Sequence, residues 1–315
     1  SASKKTALKV RQAAMKLGYR PNSIARAMVS GKSRIIGLVV AYLENQFYPE
    51  ALEKLSAMLQ DRGYHVLIFM ANTATDNLDE ILGEILDYQV DGIVAASVAL
   101  SSQLLGRCQN AGVPVVLFNR SQDLQSLSSV TSDNLQGGRK VAEFLLASAP
   151  NRIGYIAGWE GASTQRDREF GFRQRLAEAG CDIDLRTIGN FHMDSARQAT
   201  LEMFDRGDPP DAIFVANDHM AFAVMDTLRF ELGLSVPHDV SVVGYDDVPT
   251  AAWRAYDLTT VRQPVNQMVA RTVETLLRQI DDPDSTPSRV ALDGPLIIRR
   301  SVRLPEGWTN ETLCE

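Results

Sequence analysis

From Arg34 onward, short apolar runs alternate with amphipathic stretches, and this rhythm restricts the fold more than any other feature of the chain. IIGLVVA (35–41), YHVLIFMA (64–71), DGIVAAS (91–97), VPVVLFN (113–119), SSVTSD (128–133) and RIGYIAG (152–158) read as strands. Helical patterns lie between them at about 48–62, 77–88, 101–111 and 134–148. Strands of nearly continuous Val, Ile and Leu are buried on both faces, which requires parallel neighbours joined by helical crossovers. The rhythm then repeats, with helix 163–179, DLRTIGN (184–190), helix 194–206, DAIFVAN (211–217), helix 219–232, DVSVVGYD (239–246) and a short strand in LTTVRQP (258–264). A long helix over 265–281 and closing strands in RVAL and GPLIIRRSVR complete it. Two successive blocks predict an α/β protein with two similar parallel-sheet domains, and the late helix implies that the chain crosses between them more than once. The length of 315 residues is sufficient for two cores.

The first 34 residues do not belong to this rhythm. SKKTALKVRQAAMKL (3–17) reads as one helix, with Ser3 as N-cap, an apolar stripe of Leu8, Val10, Ala14 and Leu17, and Gly18 as its stop. A single amphipathic helix of this length cannot bury its own apolar face. Pro21 excludes helix at Arg20, and a second helix of two turns fits from Asn22 as cap to Met28, with Ile24 and Met28 on one face. Nine basic residues and no acidic one lie between Ser1 and Arg34, so residues 35–315 carry −16 of a total of −7. Two readings fit such an arm, a solvated basic tail and a segment drawn to nucleic-acid phosphates. The size of the asymmetry favours the second.

Several chemistries are unsupported. No GxGxxG follows a strand, and there is no Walker loop, GxSxG or HExxH. Cys108, Cys181 and Cys314 lack metal or CxxC spacing, and His65, His192, His219 and His238 are scattered, so neither a metal site nor a disulfide framework is expected. Cys108 and Cys181 are expected to be small buried apolar groups. No apolar run is long enough for a membrane span, and the N-terminus has no hydrophobic leader core, which points to a cytoplasmic protein that is not an enzyme.

In open parallel sheets ligands bind where the carboxyl ends of the strands converge. Those ends read Leu43 to Tyr48, Asn119-Arg120, Asp133-Asn134, Gly158-Trp159, Asn217-Asp218 and Tyr245-Asp246-Asp247, with Arg166 and Arg168 just inside the following helix. Carboxylates and amides for hydroxyl groups, a planar guanidinium and aromatic faces suit a polyhydroxylated ligand. Plainer roles fit several of these residues: helix capping for the Asx groups, a core position for Phe47 or Trp159, an ion pair for Arg168 and a solvated charge for Arg166.

These residues converge on a family. KVRQAAMKLGYRPNSIARAM, RIIGLVV followed by Asn45-Gln46-Phe47-Tyr48, GVPVVLFNR, VTSDNLQGGRKVAEFL, Arg168 to Phe172, DAIFVANDHMA, DVSVVGYDD, LTTVRQP and PLIIRRSV occur in that order. Together they resemble the LacI/GalR family of bacterial transcription regulators along essentially the whole chain. The resemblance implies a partial N-terminal helical headpiece, a hinge helix and a periplasmic-binding-protein-like core of type I, built from two Rossmann-like subdomains. The implied division is 1–33 for headpiece and hinge, 34–160 plus 264–283 for the N-terminal subdomain, 161–263 plus 284–305 for the C-terminal subdomain, and 306–315 as a tail.

The implied partners are operator DNA, a small effector of carbohydrate type and a second copy of the chain, with no cofactor. In such proteins paired hinge helices order on the operator and wedge an apolar side chain into the minor groove. Met28 stands at the wedge position, where the family often has Leu, and Asn22, Ser23, Ala25 and Arg26 are the other expected hinge contacts. Residues 3–17 match only the third headpiece helix. These 315 residues are therefore expected to bind operator weakly or not at all, with the hinge loosely held without DNA. Effector contacts carry over to Asn45, Phe47, Arg168, Asn217 and Asp246, and also to Arg120, Asp133 and Phe191; Trp159 and Trp253 are placed to stack on a ring. An effector bridging the subdomains would bias open and closed arrangements. An exported sugar-binding protein and a carbohydrate-processing enzyme are the alternatives.

Overall fold

A computed structural model describes residues 3–18, 32–71, 78–98, 100–122 and 127–308 of the chain. Asn22, Ser23, Ile24, Ala25, Arg26 and Met28 of the expected hinge, and Cys314, lie outside the described residues. Helix α1 spans Lys4–Lys16; the Thr6 amide donates to Ser3 Oγ at its start, and Gly18 follows with φ +65°. Leu8, Val10 and Leu17 are exposed, so the stripe finds no partner among the described residues.

The first sheet comprises β1 (Ile35–Val40), β2 (His65–Met70), β3 (Gly92–Ala96), β4 (Val115–Phe118) and β5 (Ser128–Ser132), joined by α2 (Phe47–Asp61), α3 (Leu78–Asp87) and α4 (Ser102–Asn110). Helix α5 (Asn134–Ala147) leads to the second sheet. That sheet holds β6 (Ile153–Ala157), β7 (Leu185–Ile188), β8 (Ala212–Val215), β9 (Ser241–Asp246) and β10 (Thr259–Arg262), joined by α6 (Ser163–Glu178), α7 (Met193–Asp205) and α8 (Asp218–Asp226). Helix α8 ends in a π turn, Thr227–Glu231, where the sequence predicts continuous helix to 232. Helix α9 (Val265–Asp281) returns to the first sheet, and β11 (Arg289–Leu292) and β12 (Leu296–Ile297) finish the described chain.

Strand order is β11-β5-β4-β3-β1-β2 in one sheet and β12-β10-β9-β8-β6-β7 in the other, with every pairing parallel except β10 with β12. The 2-1-3-4-5 order recurs, and each sheet has its topological switch beside its first strand, between β1 and β3 and between β6 and β8. Tyr155, Phe214, Phe118, Ile36 and Leu38 are fully buried, as strands covered on both faces require. Among the described residues no helix is long and apolar enough to cross a membrane.

Sheet membership corrects the expected division in two places. Ile153–Ala157, expected in the N-terminal subdomain, pairs with β7 and β8 in the second sheet. Arg289–Leu292, expected in the C-terminal subdomain, pairs with β5 in the first. An apolar pattern identifies a strand but does not encode which sheet edge or switch point receives it. The final strand is also much shorter than GPLIIRRSVR, because only Leu296 and Ile297 reach β10. Cys108 is buried as expected, whereas Cys181 is exposed in the loop after α6.

Candidate functional site

The carboxyl ends of both sheets face one cleft. Tyr42, Asn45 and Tyr48 reach it from the loop after β1 and the start of α2, and Asn119 and Arg120 from the end of β4. The second sheet contributes Thr164 and Arg168 from α6, Phe191 after β7, Asn217 after β8 and Asp246 at the end of β9. The cavity left between them is about 10 Å³, room for one water.

Arg168 is the hub. Its Nε donates to Asn134 Oδ1 at 2.8 Å and one terminal nitrogen donates to the Ala216 carbonyl at 2.6 Å. The other terminal nitrogen lies 3.5 Å from Asp246 Oδ1, and the guanidinium covers the Tyr245 ring at 3.6 Å. Both members of this ion pair are buried, so its geometry is fixed by the packing around it. Asp246 also accepts from Gln263 Nε2 at 2.7 Å and, across the cleft, from Asn45 Nδ2 at 3.0 Å. Its φ of +129° is unusual for a residue with a side chain, and Asn119 (+58°) and Phe191 (+64°) are also left-handed. Such conformations persist where the surrounding contacts over-determine them.

Two glycine sites explain how these groups converge. Helices α5 and α6 pack so closely that a Cβ on Gly138 would lie 2.1 Å from the Arg168 carbonyl oxygen, and one on Gly171 2.0 Å from that of Leu135. This crossing sets Asn134 against Arg168. At the end of β6, a Cβ on Gly158 would stand 2.2 Å from the Phe191 ring, so only glycine there leaves Phe191 its place in the cleft wall.

Burial raises the carboxyl of Asp246, opposed by Arg168 and by its three donors. Asp218 is pushed up to about 8 by burial and by the nearby Asp246. It accepts from Thr260 Oγ1 at 2.6 Å and from the Val248 amide at 3.0 Å. Tyr245 is raised to about 12, again chiefly by burial.

Asn45, Arg120, Arg168, Phe191, Asn217 and Asp246 are thus brought together in the cleft wall. Asn217 also caps α8, its Oδ1 accepting from the Met220 amide at 3.0 Å, so the capping and cleft roles coincide in one residue. Four expected contacts stand elsewhere. Phe47 is turned into the core and stacks on Phe118, because the Phe47 amide donates to Asn45 Oδ1 and directs its side chain inward. Asp133 caps α5 by accepting from the Gln136 amide. Trp159 is half-exposed beyond the cleft wall, with Arg120 5.3 Å from its ring centroid. Trp253 follows the short Pro249–Ala252 turn, is 60% exposed and does not line the cleft.

The candidate residues above omit Tyr42, Tyr48, Asn119 and Thr164 of the lining, and Asn134 and Gln263 behind it. Tyr48, Asn119 and Asn134 lie in strand-end stretches, so a signal for them was present in the sequence. Thr164 carries none. Asp247, beside Asp246, is held by Arg262 and Arg299 at 2.6 Å each and faces away from the cleft.

A family model described as a periplasmic binding protein-like domain matches residues 142–302. The HTH-type transcriptional regulator CelR of Thermobifida fusca is 31% identical over 301 residues, covering 93% of this chain and 88% of that protein. The HTH-type transcriptional repressor PurR of Aliivibrio salmonicida is 29% identical over 303 residues, covering 94% and 90%. Among solved structures, a transcriptional regulator CelR–cellobiose complex superposes with a TM-score of 0.79 at 30% identity, covering 96% of this chain and 92% of that one. A lac repressor dimer bound to operator and the anti-inducer ONPF reaches a TM-score of 0.85 at 25% identity, covering 96% and 91%.

Proposed function

The chain belongs to the LacI/GalR family of bacterial transcription regulators, and from that we infer that its cleft takes a small sugar or sugar-like effector whose binding sets the affinity for operator DNA. The observation that carries this reading is the Arg168–Asp246–Asn45 chain, in which hydrogen bonds link the two halves across a polar cleft. Amides, a guanidinium, a carboxylate and an aromatic wall offer donors, acceptors and a C–H stacking face, the requirements of a polyol. The cellobiose complex of the similar CelR supports a carbohydrate. Asn45, Arg120, Arg168, Phe191, Asn217 and Asp246 are the proposed contacts, with Tyr42, Tyr48, Asn119 and Thr164 added. Phe47 and Asp133 act behind them.

An effector that contacts both halves favours one relative arrangement and shifts the equilibrium by its differential affinity. The arrangement is passed to the basic segment before Arg34, where hinge contacts by Asn22, Ser23, Ala25, Arg26 and Met28 with operator DNA complete the reading. A homodimer follows from the likeness to the lac repressor dimer. The first subdomain comprises β1–β5, α9 and β11, and the second β6–β10 and β12. The relatives are regulators, and this chain is read as a non-enzyme: Asp246 is occupied by three donors, which leaves no free base in the cleft. Action on DNA places it in the cytoplasm.

A thermal-shift screen of sugars, sugar acids and nucleobases identifies binders through mass-action stabilisation. Calorimetry with the best of them is expected to show Arg168→Ala binding about tenfold or more weakly, since a lost charged hydrogen bond costs roughly 1.5–3 kcal/mol. Unchanged affinity contradicts the site.

A further inference from the structure

Arg120 differs from every other charge in the cleft. It follows β4, where the left-handed turn at Asn119 directs the chain into the cleft wall, and it is only 8% exposed. Among the described residues it has no ion pair or hydrogen bond, and its buried Nε has no partner. A buried guanidinium with nothing opposite it is costly, because the lost hydration is not replaced. Arg168, by contrast, is spent on Asn134, Ala216 and Asp246.

The surroundings orient Arg120 without neutralising it. Its guanidinium carbon lies 5.3 Å from the Trp159 ring centroid, a cation–π contact that supplies no hydrogen-bond acceptor for its N–H groups. Trp159 in turn rests on Gly161, where a Cβ would stand 2.4 Å from the ring. Beside Arg120, the buried Asn119 Oδ1 is an acceptor without a donor, while its Nδ2 donates to the Tyr48 hydroxyl at 3.3 Å.

The charges of the wall then leave a remainder. Asp246 is matched by Arg168, and Glu44, beside Asn45, is exposed and lies 3.8 Å from His219 Nε2. Arg120 is the uncompensated charge.

We propose that the effector carries one carboxylate on a polyhydroxyl skeleton, and that Arg120 holds this carboxylate through its unpartnered N–H groups while Asn119 Oδ1 accepts a neighbouring hydroxyl. The inference rests on the reading of the cleft as the effector site. Carboxylate and guanidinium match bidentately, and a single negative charge balances the single unmatched positive one. A phosphate monoester, with close to two charges, would need a second free cation, and Arg168 is already engaged.

The test is calorimetry on matched pairs, D-galactose with D-galacturonate and D-glucose with D-glucuronate and D-gluconate, alongside glucose 6-phosphate. At least one carboxylate is expected to bind about tenfold or more tightly than its neutral parent. Arg120→Gln is expected to bring that ratio close to one, and Arg120→Lys to retain part of it. Only the carboxylate should strongly change Trp159 emission. Thermal unfolding without ligand verifies that each variant is folded; if Arg120→Gln is not, the ligand pairs and Arg120→Lys decide. The proposal is overturned if no acidic sugar binds, if neutral parents bind as tightly, if the ratio survives Arg120→Gln, or if the phosphate binds best. Arg168→Gln separates the two levels. Neutral sugars that bind alone and are lost in this variant refute the anionic assignment but leave the cleft reading standing, whereas binders indifferent to it refute the cleft.

Discussion

At the residue scale, Asp218 makes a pH-dependent contribution whose sign can be worked out. Its carboxyl is held up at about 8, against roughly 3.9 in an unfolded chain. Across that interval the folded state keeps a proton that the unfolded state has released, so this contribution is complete at low pH and is lost as pH rises through the folded value. Stability is therefore expected to fall between about pH 4 and pH 8, by at most about 1.4 kcal/mol per pH unit from this group, and to level off above that. In Asp218→Asn, whose amide can still accept from the Val248 amide and donate to Thr260, urea unfolding is expected to lose most of that slope. An unchanged slope contradicts the assignment. For the buried pair, Arg168→Ala leaves Asp246 uncompensated and is expected to destabilise by roughly 3–5 kcal/mol, read from the same unfolding curves. A loss under about 1 kcal/mol would place the pair with exposed salt bridges instead.

Phe47 and Asp133, two of the residues misplaced from sequence, share one cause. At the start of α2 the cleft receives Tyr48 and the core receives Phe47; at the start of α5 the cap is Asp133 and the partner of Arg168 is Asn134. Adjacent residues in a first helical turn point about 100° apart, so one faces the site and its neighbour cannot. Sequence spacing locates the turn but not the phase. Asn217 and Asp246 were legible as cleft residues because each closes a strand, and Arg168 because it stands in the second turn of the helix after β6.

At the scale of elements, the crossing of α5 and α6 positions the site. A mid-helix Gly→Ala change ordinarily gains about 1 kcal/mol of helix propensity. At Gly171 the added methyl would meet the Leu135 carbonyl oxygen at 2.0 Å, and separating the two helices costs typically 1–3 kcal/mol. Strain outweighs propensity. Gly171→Ala is expected to lower the melting temperature and, by moving Asn134 from Arg168, to weaken effector binding; a stabilised variant with unchanged affinity contradicts this. Most strands and helices were legible from periodicity alone, since the central strands of both sheets are buried on both faces. The π turn after α8 and the short β12 were not, because local backbone hydrogen bonding and reach to β10 leave no apolar signature. The membership of β6 and β11 depends on where the chain crosses between sheets, which is a property of the assembled fold.

At the scale of the whole molecule, hydrogen bonds among the described residues link the two halves. Asn45 Nδ2 donates to Asp246 at 3.0 Å, Thr250 Oγ1 to Gln46 at 2.7 Å, and the Ser121 amide to Ser163 Oγ at 3.0 Å. Polar links of this kind and a polar lining let the two halves separate at modest cost, the condition for an effector to choose between arrangements. Replacing Asn45 and Gln46 together by Ala is expected to increase the radius of gyration measured by small-angle scattering without ligand, and to restore part of the difference when ligand is added. An identical radius with and without the substitutions would mean that these contacts do not hold the cleft closed. The charge asymmetry between the basic first 34 residues and the acidic remainder fits the same division, with DNA affinity at one end and small-molecule recognition in the core.

The central claim, that the cleft between the two sheets is where a small effector acts, is tested most directly by a crystal structure of the chain with the tightest-binding sugar or sugar acid. The ligand is expected to lie against Phe191 and within hydrogen-bond distance of Arg168, Asn217 and Asp246. A ligand bound elsewhere, for instance in the surface groove between Gln198, Glu202 and Leu232, with the cleft unchanged, would contradict it.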